Sequence, residues 1–361
     1  MFIFNSRQLN SIFVFLCSKL FVPNSLNEEN AFKWMTDQKN YVYDIERVKE
    51  VGYGDFQFIS SWEKNYQSWM FNKTFPIMII KYENAVKSLS RLVNFERSLT
   101  APNHSQFHIE RMSLLMGFVG KECLDIPTIH VAGTNGKGST IAFLLSSLKY
   151  AGKKVHVYTS PHLIEVTERF ILSNKKISYN QLFSALSYCE KVNGGEHITQ
   201  FELLTCIAFL LMSKTKADFT LIETGLGGRL DATNVIENPL LTIITSISID
   251  HSDFLGNKLT SIAKEKAGII KKGITCITAP QSQAVEKILI NKCKEKNAKL
   301  IICNEKSLFT IKKNGFEINI PGNENYFFSK PSLEGPHQVI NAVLAVTALT
   351  SVPELGININ D

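Results

Sequence analysis

Thr128-Ile-His-Val-Ala132-Gly133-Thr-Asn-Gly-Lys-Gly-Ser139-Thr140 is the stretch that decides the fold. Thr128 to Ala132 reads as a short β-branched strand, and Ser139 to Tyr150 as a helix that ends at Gly152. The turn between them suits a phosphate chain. Glycines let successive backbone N–H groups turn inward, the helix N-terminus adds its partial positive charge, Lys137 reaches the terminal phosphates and a hydroxyl follows at Ser139. The spacing departs from the usual G-x-x-x-x-G-K-[ST]: five residues before Gly136 stands Val131, and Gly138 separates the lysine from Ser139. A plain glycine turn is the bland alternative. A lysine flanked by glycines after a strand gains little from folding alone.

Outward from this turn the chain alternates strand and helix. Strands are expected at Lys154–Thr159, Phe219–Glu223, Leu240–Ile249, Thr275–Ala279 and Lys299–Cys303. Helices are expected at Gln200–Ser213, Ile262–Ile270 and Gln283–Asn297, with amphipathic helices upstream at Ala85–Phe95 and His108–Val119. Such alternation predicts an α/β fold built on parallel βαβ units, a mostly parallel sheet flanked by helices.

Two further strand ends carry chemistry. Glu223-Thr-Gly-Leu-Gly-Gly-Arg-Leu-Asp-Ala-Thr-Asn234 follows the apolar run Phe219–Ile222. A carboxylate at the end of a parallel strand sits at the crevice where such sheets bind ligands, so Glu223 is a candidate magnesium ligand. Arg229 and Asp231 either orient substrate or seal the site; a strand-ending glycine turn with a surface ion pair is the less favoured alternative. Ser246-Ile-Ser-Ile-Asp250-His251 ends the third strand, followed by Lys264-Glu265-Lys266-Ala267-Gly268. His251 can ligate a metal through a neutral imidazole, although a His-Asp pair is as readily a turn or a cap. Three strand ends of one parallel sheet would converge on one crevice.

Composition sets the limits. The 361 residues are 44% hydrophobic and 20% charged, ordinary for a folded soluble chain and long enough for two domains. A formal charge of +6 is spread without a basic stripe, which suits an anionic small substrate as well as nucleic acid and decides for neither; small-molecule substrates and no nucleic-acid partner are the expectation for the chain as a whole. Seven cysteines, Cys17, Cys123, Cys189, Cys206, Cys276, Cys293 and Cys303, include no C-x-x-C pair, which argues against a disulfide framework and for the cytoplasm. The N-terminal apolar patch is broken by Lys19 and too short to span a bilayer, so no membrane partner is expected. Residues 1–88 have a different, aromatic-rich texture. Within them Trp62, Trp69 and Phe75-Pro-Ile-Met-Ile-Ile-Lys-Tyr-Glu83 faintly resemble a sulfotransferase fragment, without a sulfonate-donor loop.

From about residue 85 onward the motifs run in one order: Gly133–Ser139, Thr159-Ser-Pro-His-Leu163, Phe201-Glu-Leu-Leu-Thr205, Glu223–Asn234, Asp250-His251, Glu265-Lys-Ala-Gly268, and His337-Gln338 with Asn341-Ala342. Together they resemble the folylpolyglutamate synthase and dihydrofolate synthase family of the Mur-ligase superfamily. The resemblance implies a Mur-ligase-like central P-loop domain at 89–330, an N-terminal extension at 1–88, and at 331–361 the start of a Rossmann-like C-terminal domain that is otherwise missing. It implies ATP on Gly136, Lys137, Gly138 and Ser139, with Asn341 against the nucleotide. Ser160 and Glu223 would hold one Mg²⁺, and His251 a second together with Lys266 as a carbamate. A folate or dihydropteroate would meet Gln106, Phe107 and His108, then Phe201, Glu202 and Thr205, and Leu230, Asp231 and Ala232. The first of these triplets departs from the Asp-Leu-Gly often seen there.

The implied chemistry is an ATP-dependent ligation of L-glutamate through an acyl phosphate, by a monomer, with Lys137, Glu223, His251 and Lys266 as the catalytic set. Against it stands a non-catalytic reading, in which a chain stopping after the helix from His337 keeps weak ATP and folate binding with little ligase activity. A P-loop transporter or GTPase-type switch fits the loop spacing and the Glu223 and His251 motifs less well.

Overall fold

A computed structural model of the chain describes residues 87–92, 109–119, 126–249, 258–305, 308–319 and 325–352. The sulfotransferase-like stretch, the contacts expected at Gln106, Phe107 and His108, and the metal ligand expected at His251 lie outside the described residues.

The first half of the sheet begins with β1 (Thr128–Ala132), followed by helix α2 (Lys137–Tyr150) and β2 (Val155–Tyr158). After a 3₁₀ turn at Val166–Arg169 come β3 (Phe170–Leu172) and β4 (Lys175–Lys176). Helices α3 (Tyr179–Asn193) and α4 (Gln200–Ser213) lead to β5 (Phe219–Glu223). The second half runs β6 (Leu241–Ile244), α5 (Leu259–Lys266), β7 (Cys276–Thr278), α6 (Gln283–Glu295) and β8 (Leu300–Ile302). Then follow β9 (Phe309–Lys312), β10 (Gly315–Asn319), β11 (Asn325–Ser329) and helix α7 (His337–Ser351). A helix α1 (Ile109–Val119) precedes them all.

Eight strands form one sheet in the order β4-β3-β2-β5-β1-β6-β7-β8. Every pairing from β2 to β8 is parallel, and only β3 and β4 join antiparallel at one edge. Strands β1, β2, β5 and β6 are buried at every residue, the mark of strands covered by helices on both faces. Alternate residues serve the two faces. Ile129 and Val131 of β1 join Leu144 and Leu148 of α2 in one core, while Ala132 joins Ala263 of α5 on the other side. Strand β1 lies between β5 and β6, where the chain order reverses, so its carboxyl end opens a crevice.

Local signals explain the helix ends. Thr199 and Glu202 form a reciprocal capping box at the start of α4, and Ser178 and Gln181 do the same for α3. Twelve of the fourteen residues of α4 are buried, so it packs between the sheet and α1 and α3 and has no solvent stripe.

The structure departs from the sequence reading in several places. The strand expected to run to Ile249 leaves the sheet after Ile244, because the N–H groups of Thr134 and Asn135 take the carbonyl of Ser246. The helix expected to Ile270 ends at Lys266 and tightens into a 3₁₀ turn, Ala267–Ile269. Helix α3, strands β3 and β4 and the antiparallel sheet β11-β10-β9 were not among the expected elements, although Ser178 and Gln181 mark the start of α3. Helix α7, placed at the sequence level in a separate unit from residue 331, shares a core with α2 and β1 through Val343, Leu344 and Ala348.

Two buried histidines make the fold acid-sensitive. His130 of β1 has its Nε2 2.8 Å from Thr233 Oγ1, which itself donates to Asp231 Oδ1, so the imidazole Nε2–H is the donor. Burial, then the charge of Lys271, lowers its pKa from 6.5 to about 3. His156 of β2 donates Nε2–H to the carbonyl of Thr215 and accepts from Ser173 N–H, and burial lowers its pKa as well. Below about pH 6.5 the unfolded chain binds protons that the folded chain refuses, so stability falls as the pH falls, by about 1.4 kcal/mol per pH unit for His130, with His156 acting in the same sense. For His130 this window extends down to about pH 3. Asp231, whose carboxyl is pushed up by burial, works in the opposite sense within the carboxylate range. Urea midpoints measured from pH 7 to 4.5 should decline, and less steeply for His130→Gln; parallel declines would contradict this account.

Candidate functional site

Four sequence-selected groups meet at the carboxyl ends of β1, β2 and β5. The turn after β1 delivers Gly136, Lys137, Gly138 and Ser139, with Gly136 as the N-cap of α2 at φ +89°. The backbone N–H groups of Thr134 and Asn135 are spent on Ser246, so the donors left to face a ligand are those of the first turn of α2. Lys137 Nζ lies 3.7 Å from Glu223 Oε1 and 3.4 Å from the carbonyl of Thr134. The backbone N–H of Ser160, just past β2, donates to Glu223 Oε2 at 3.2 Å. Gly136, Gly138, Ser139, Thr159, Ser160 and Glu223 line one open cleft of about 460 Å³, which continues over the apolar Ile141, Leu145, Val157 and Ile171.

The donor set has a definite chemical character. Glu223 is only 4% exposed. One buried carboxylate, with Ser139, Thr159 and Ser160 on the same cleft, is an oxygen environment that fits a hard cation such as Mg²⁺, which takes one or two carboxylates beside substrate phosphates.

Asn341 reaches the turn from α7. A Cβ on Gly136 would stand 2.3 Å from its Oδ1, so the turn accepts only glycine there on both conformational and steric grounds. Asn341 Nδ2 donates to Gln338 Oε1 at 2.9 Å, which fixes the amide. Lys266 approaches the same turn from α5: it is 4% exposed and its Nζ donates to the carbonyl of Gly133 at 2.8 Å.

The residues expected around a pterin-bearing substrate serve the fold in several cases. Glu202 accepts from Thr199 N–H and Oγ1–H and pairs with Arg111 at 2.7 Å, so its carboxylate is committed to capping α4 and tying it to α1. Thr205 is fully buried and donates to the carbonyl of Phe201. Phe201 stacks on Tyr158 at 6.0 Å between centroids and presses on Gly225, where any Cβ would collide with its ring. Asp231 accepts from the N–H groups of Leu226 and Thr233 and from the Thr233 hydroxyl, so it shapes the glycine loop. Leu230 is half-buried and Ala232 buried in the same loop. That loop is clamped to α5, with Arg229 Nε and Nη2 both donating to Glu265 Oε1.

Thr159 and Pro161 line the cleft although no role was assigned to them in the sequence. They lie in the quoted run Thr159–Leu163, whose signal was present. The contacts of Arg111 and Arg169 with site-bearing segments left none, because they arise between distant elements or across an irregular loop.

The model of the Mur ligase middle domain matches residues 131–349. Among curated proteins, the chain is 39% identical over 253 residues to the dihydrofolate synthase/folylpolyglutamate synthase of Bacillus subtilis, covering 66% of this chain and 58% of that protein. It therefore spans less than two thirds of that relative's length. Among solved structures, the folylpolyglutamate synthase of Mycobacterium tuberculosis complexed with ADP and AMPPCP superposes with a TM-score of 0.65 at 30% identity, over 77% of this chain and 63% of that one. E. coli FolC in complex with DHPP and ADP also gives 0.65, at 28% identity and the same coverage of 77% and 63%. With the family match running over more than half of its 361 residues and the phosphate-loop geometry in place, the chain belongs to the Mur ligase middle domain family.

Proposed function

We propose that this chain carries the ATP-activating site of a ligase that joins L-glutamate to the carboxylate of a folate or of dihydropteroate. The single observation that carries the reading is the cleft in which Glu223 and Ser160 meet the glycine turn, with Lys137 Nζ 3.7 Å from Glu223. Its likeness to proteins solved with ADP, AMPPCP and DHPP supports the choice of nucleotide and acyl class.

A carboxylate is a poor acyl donor. Transfer of the γ-phosphoryl of ATP to it gives an acyl phosphate and ADP, and attack by the glutamate amine then forms the amide and releases phosphate. The N–H groups at the start of α2 bind the phosphate chain, and Lys137 exchanges its contact with Glu223 for the terminal phosphates. Glu223 and Ser160 would hold a cation at that end of the cleft. Magnesium, when bound, offsets phosphate charge and aligns donor with acceptor. Asn341 fixes the back of the turn. Phe201, Leu230 and Ala232 supply surfaces near an acyl substrate, with Asp231 and Glu202 holding the loops that present them, and Gln106, Phe107 and His108 complete the site. Among the described residues no helix is long and apolar enough to cross a membrane.

ADP release dependent on L-glutamate, assayed with dihydropteroate and with tetrahydrofolate, tests the reaction. Lys137→Ala should weaken Mg–ATP turnover by about 10²- to 10³-fold, the scale of removing one preorganised charge-stabilising donor. Release indifferent to glutamate, or unaffected by the substitution, would sink the proposal.

Lys266 and His251 form the second cation site in this reading. A buried ammonium beside the phosphate turn would repel a cation; addition of CO₂ to the neutral amine, with loss of one proton, converts it to a carbamate oxygen ligand. Carbon-13 NMR of protein kept in labelled bicarbonate should show a carbamate carbon that is missing in Lys266→Gln. A spectrum unchanged by the substitution would remove Lys266 from the site.

A further inference from the structure

The wall of the cleft that carries Ser160 and Pro161 is a loop running from Thr159 to Arg169, and its tip gains little from burial. Leu163 is 92% and Ile164 62% exposed. Polar contacts set its shape instead. The carboxylate of Glu168 accepts the N–H groups of Leu163, Ile164 and Glu165, at 2.9, 3.3 and 3.0 Å. Glu165 in turn accepts from Lys176 and, at 2.5 Å, from the Tyr179 hydroxyl, which ties the loop to β4 and α3.

Arg169 grips the other end. Its side chain is buried, the residue being 1% exposed. Its carbonyl accepts the N–H of Thr159 at 3.0 Å, and its Nε donates to His162 Nδ1 at 2.8 Å. One buried residue thus brackets Ser160-Pro161 on both sides. A guanidinium is costly to bury unless its donors are used, and packing alone would be met by an apolar chain of similar length. The geometric result of the grip is the Ser160 N–H placed 3.2 Å from Glu223 Oε2.

We infer that Arg169 and His162 are positioning residues, whose hydrogen bond fixes Ser160 against Glu223 at the point where a phosphate-bound divalent cation is held. The inference rests on the Mg–ATP reading above. Neither side chain lines the cleft, so both act through Ser160. His162 is only half-buried, which makes it the residue to change without endangering the fold. His162→Leu removes the acceptor; His162→Asn keeps an acceptor near the position of Nδ1.

Two measurements on the whole chain separate the possibilities. The first is amide hydrogen exchange of residues 163–165 in protein without nucleotide. The second is the Mg²⁺ concentration giving half-maximal ATP binding, followed by calorimetry beside metal-free ATP binding and thermal unfolding. His162→Leu should speed exchange and raise the Mg²⁺ requirement about tenfold, the lower end of what loss of an orienting partner costs a metal site. Metal-free ATP binding and the unfolding temperature should stay put, and His162→Asn should restore both readouts to near wild type. Unchanged exchange in His162→Leu, faster exchange with an unmoved Mg²⁺ requirement, or an Asn variant as impaired as the Leu variant would each overturn the inference. Wild-type protein that fails to bind Mg–ATP at all would overturn the nucleotide reading, and this role with it; that failure is recognised in the wild type alone, before any variant is compared.

Discussion

The site depends on one pairing, the parallel register of β1 with β5 that sets Val131 opposite Glu223. Parallel strands end together, so the phosphate turn after β1 and the carboxylate closing β5 emerge at the same edge of the sheet. The neighbouring pairing of β5 with β2, Tyr158 opposite Ile222, brings Ser160 to that edge two residues later. Because all of these strands are buried on both faces, a slip in register would drive Glu223 into the apolar core. The cost of burying an unpaired carboxylate therefore protects the geometry that the chemistry needs.

Around that edge the polar groups divide their labour. Glu223 and Ser160 line the cleft with Lys137 beside Glu223, while Asp231, Glu202 and Glu168 are consumed in holding backbone N–H groups of the surrounding loops. A carboxylate satisfied by three or more donors is poorly placed to bind a ligand and well placed to keep a loop rigid. The same loops come close enough to helices that side chains are excluded, as at Gly136 beneath Asn341 and at Gly225 beneath Phe201. Rigidity here comes from capping and close approach, and the loops lose little conformational freedom when a ligand arrives.

The sheet also links the site to stability. His130 sits one residue before Val131, is kept neutral by burial and hydrogen-bonds through Thr233 to Asp231, so a strand under the phosphate turn and the glycine loop after β5 share one buried hydrogen-bonded chain. Such a chain is stable while every member keeps its protonation state, which ties the integrity of the loop to that of the core.

The sequence by itself determined the α/β class, the strands β1 and β5 and helix α4 to the residue, and the phosphate turn with Glu223, because periodicity and glycine placement are local properties. It also selected Ser160, Lys266 and Asn341, through their places in an ordered set of motifs. What it could not determine were contacts made between elements far apart in the chain. Only the tertiary structure decided that Asp231 and Glu202 are bound into the fold, that α7 packs against α2, and that β6 yields its last residues to the phosphate turn. The physical reason is the same each time: a carboxylate or a helix has its partner chosen by the sheet order, and the sheet order is set by the burial of strands that are individually too short to declare it.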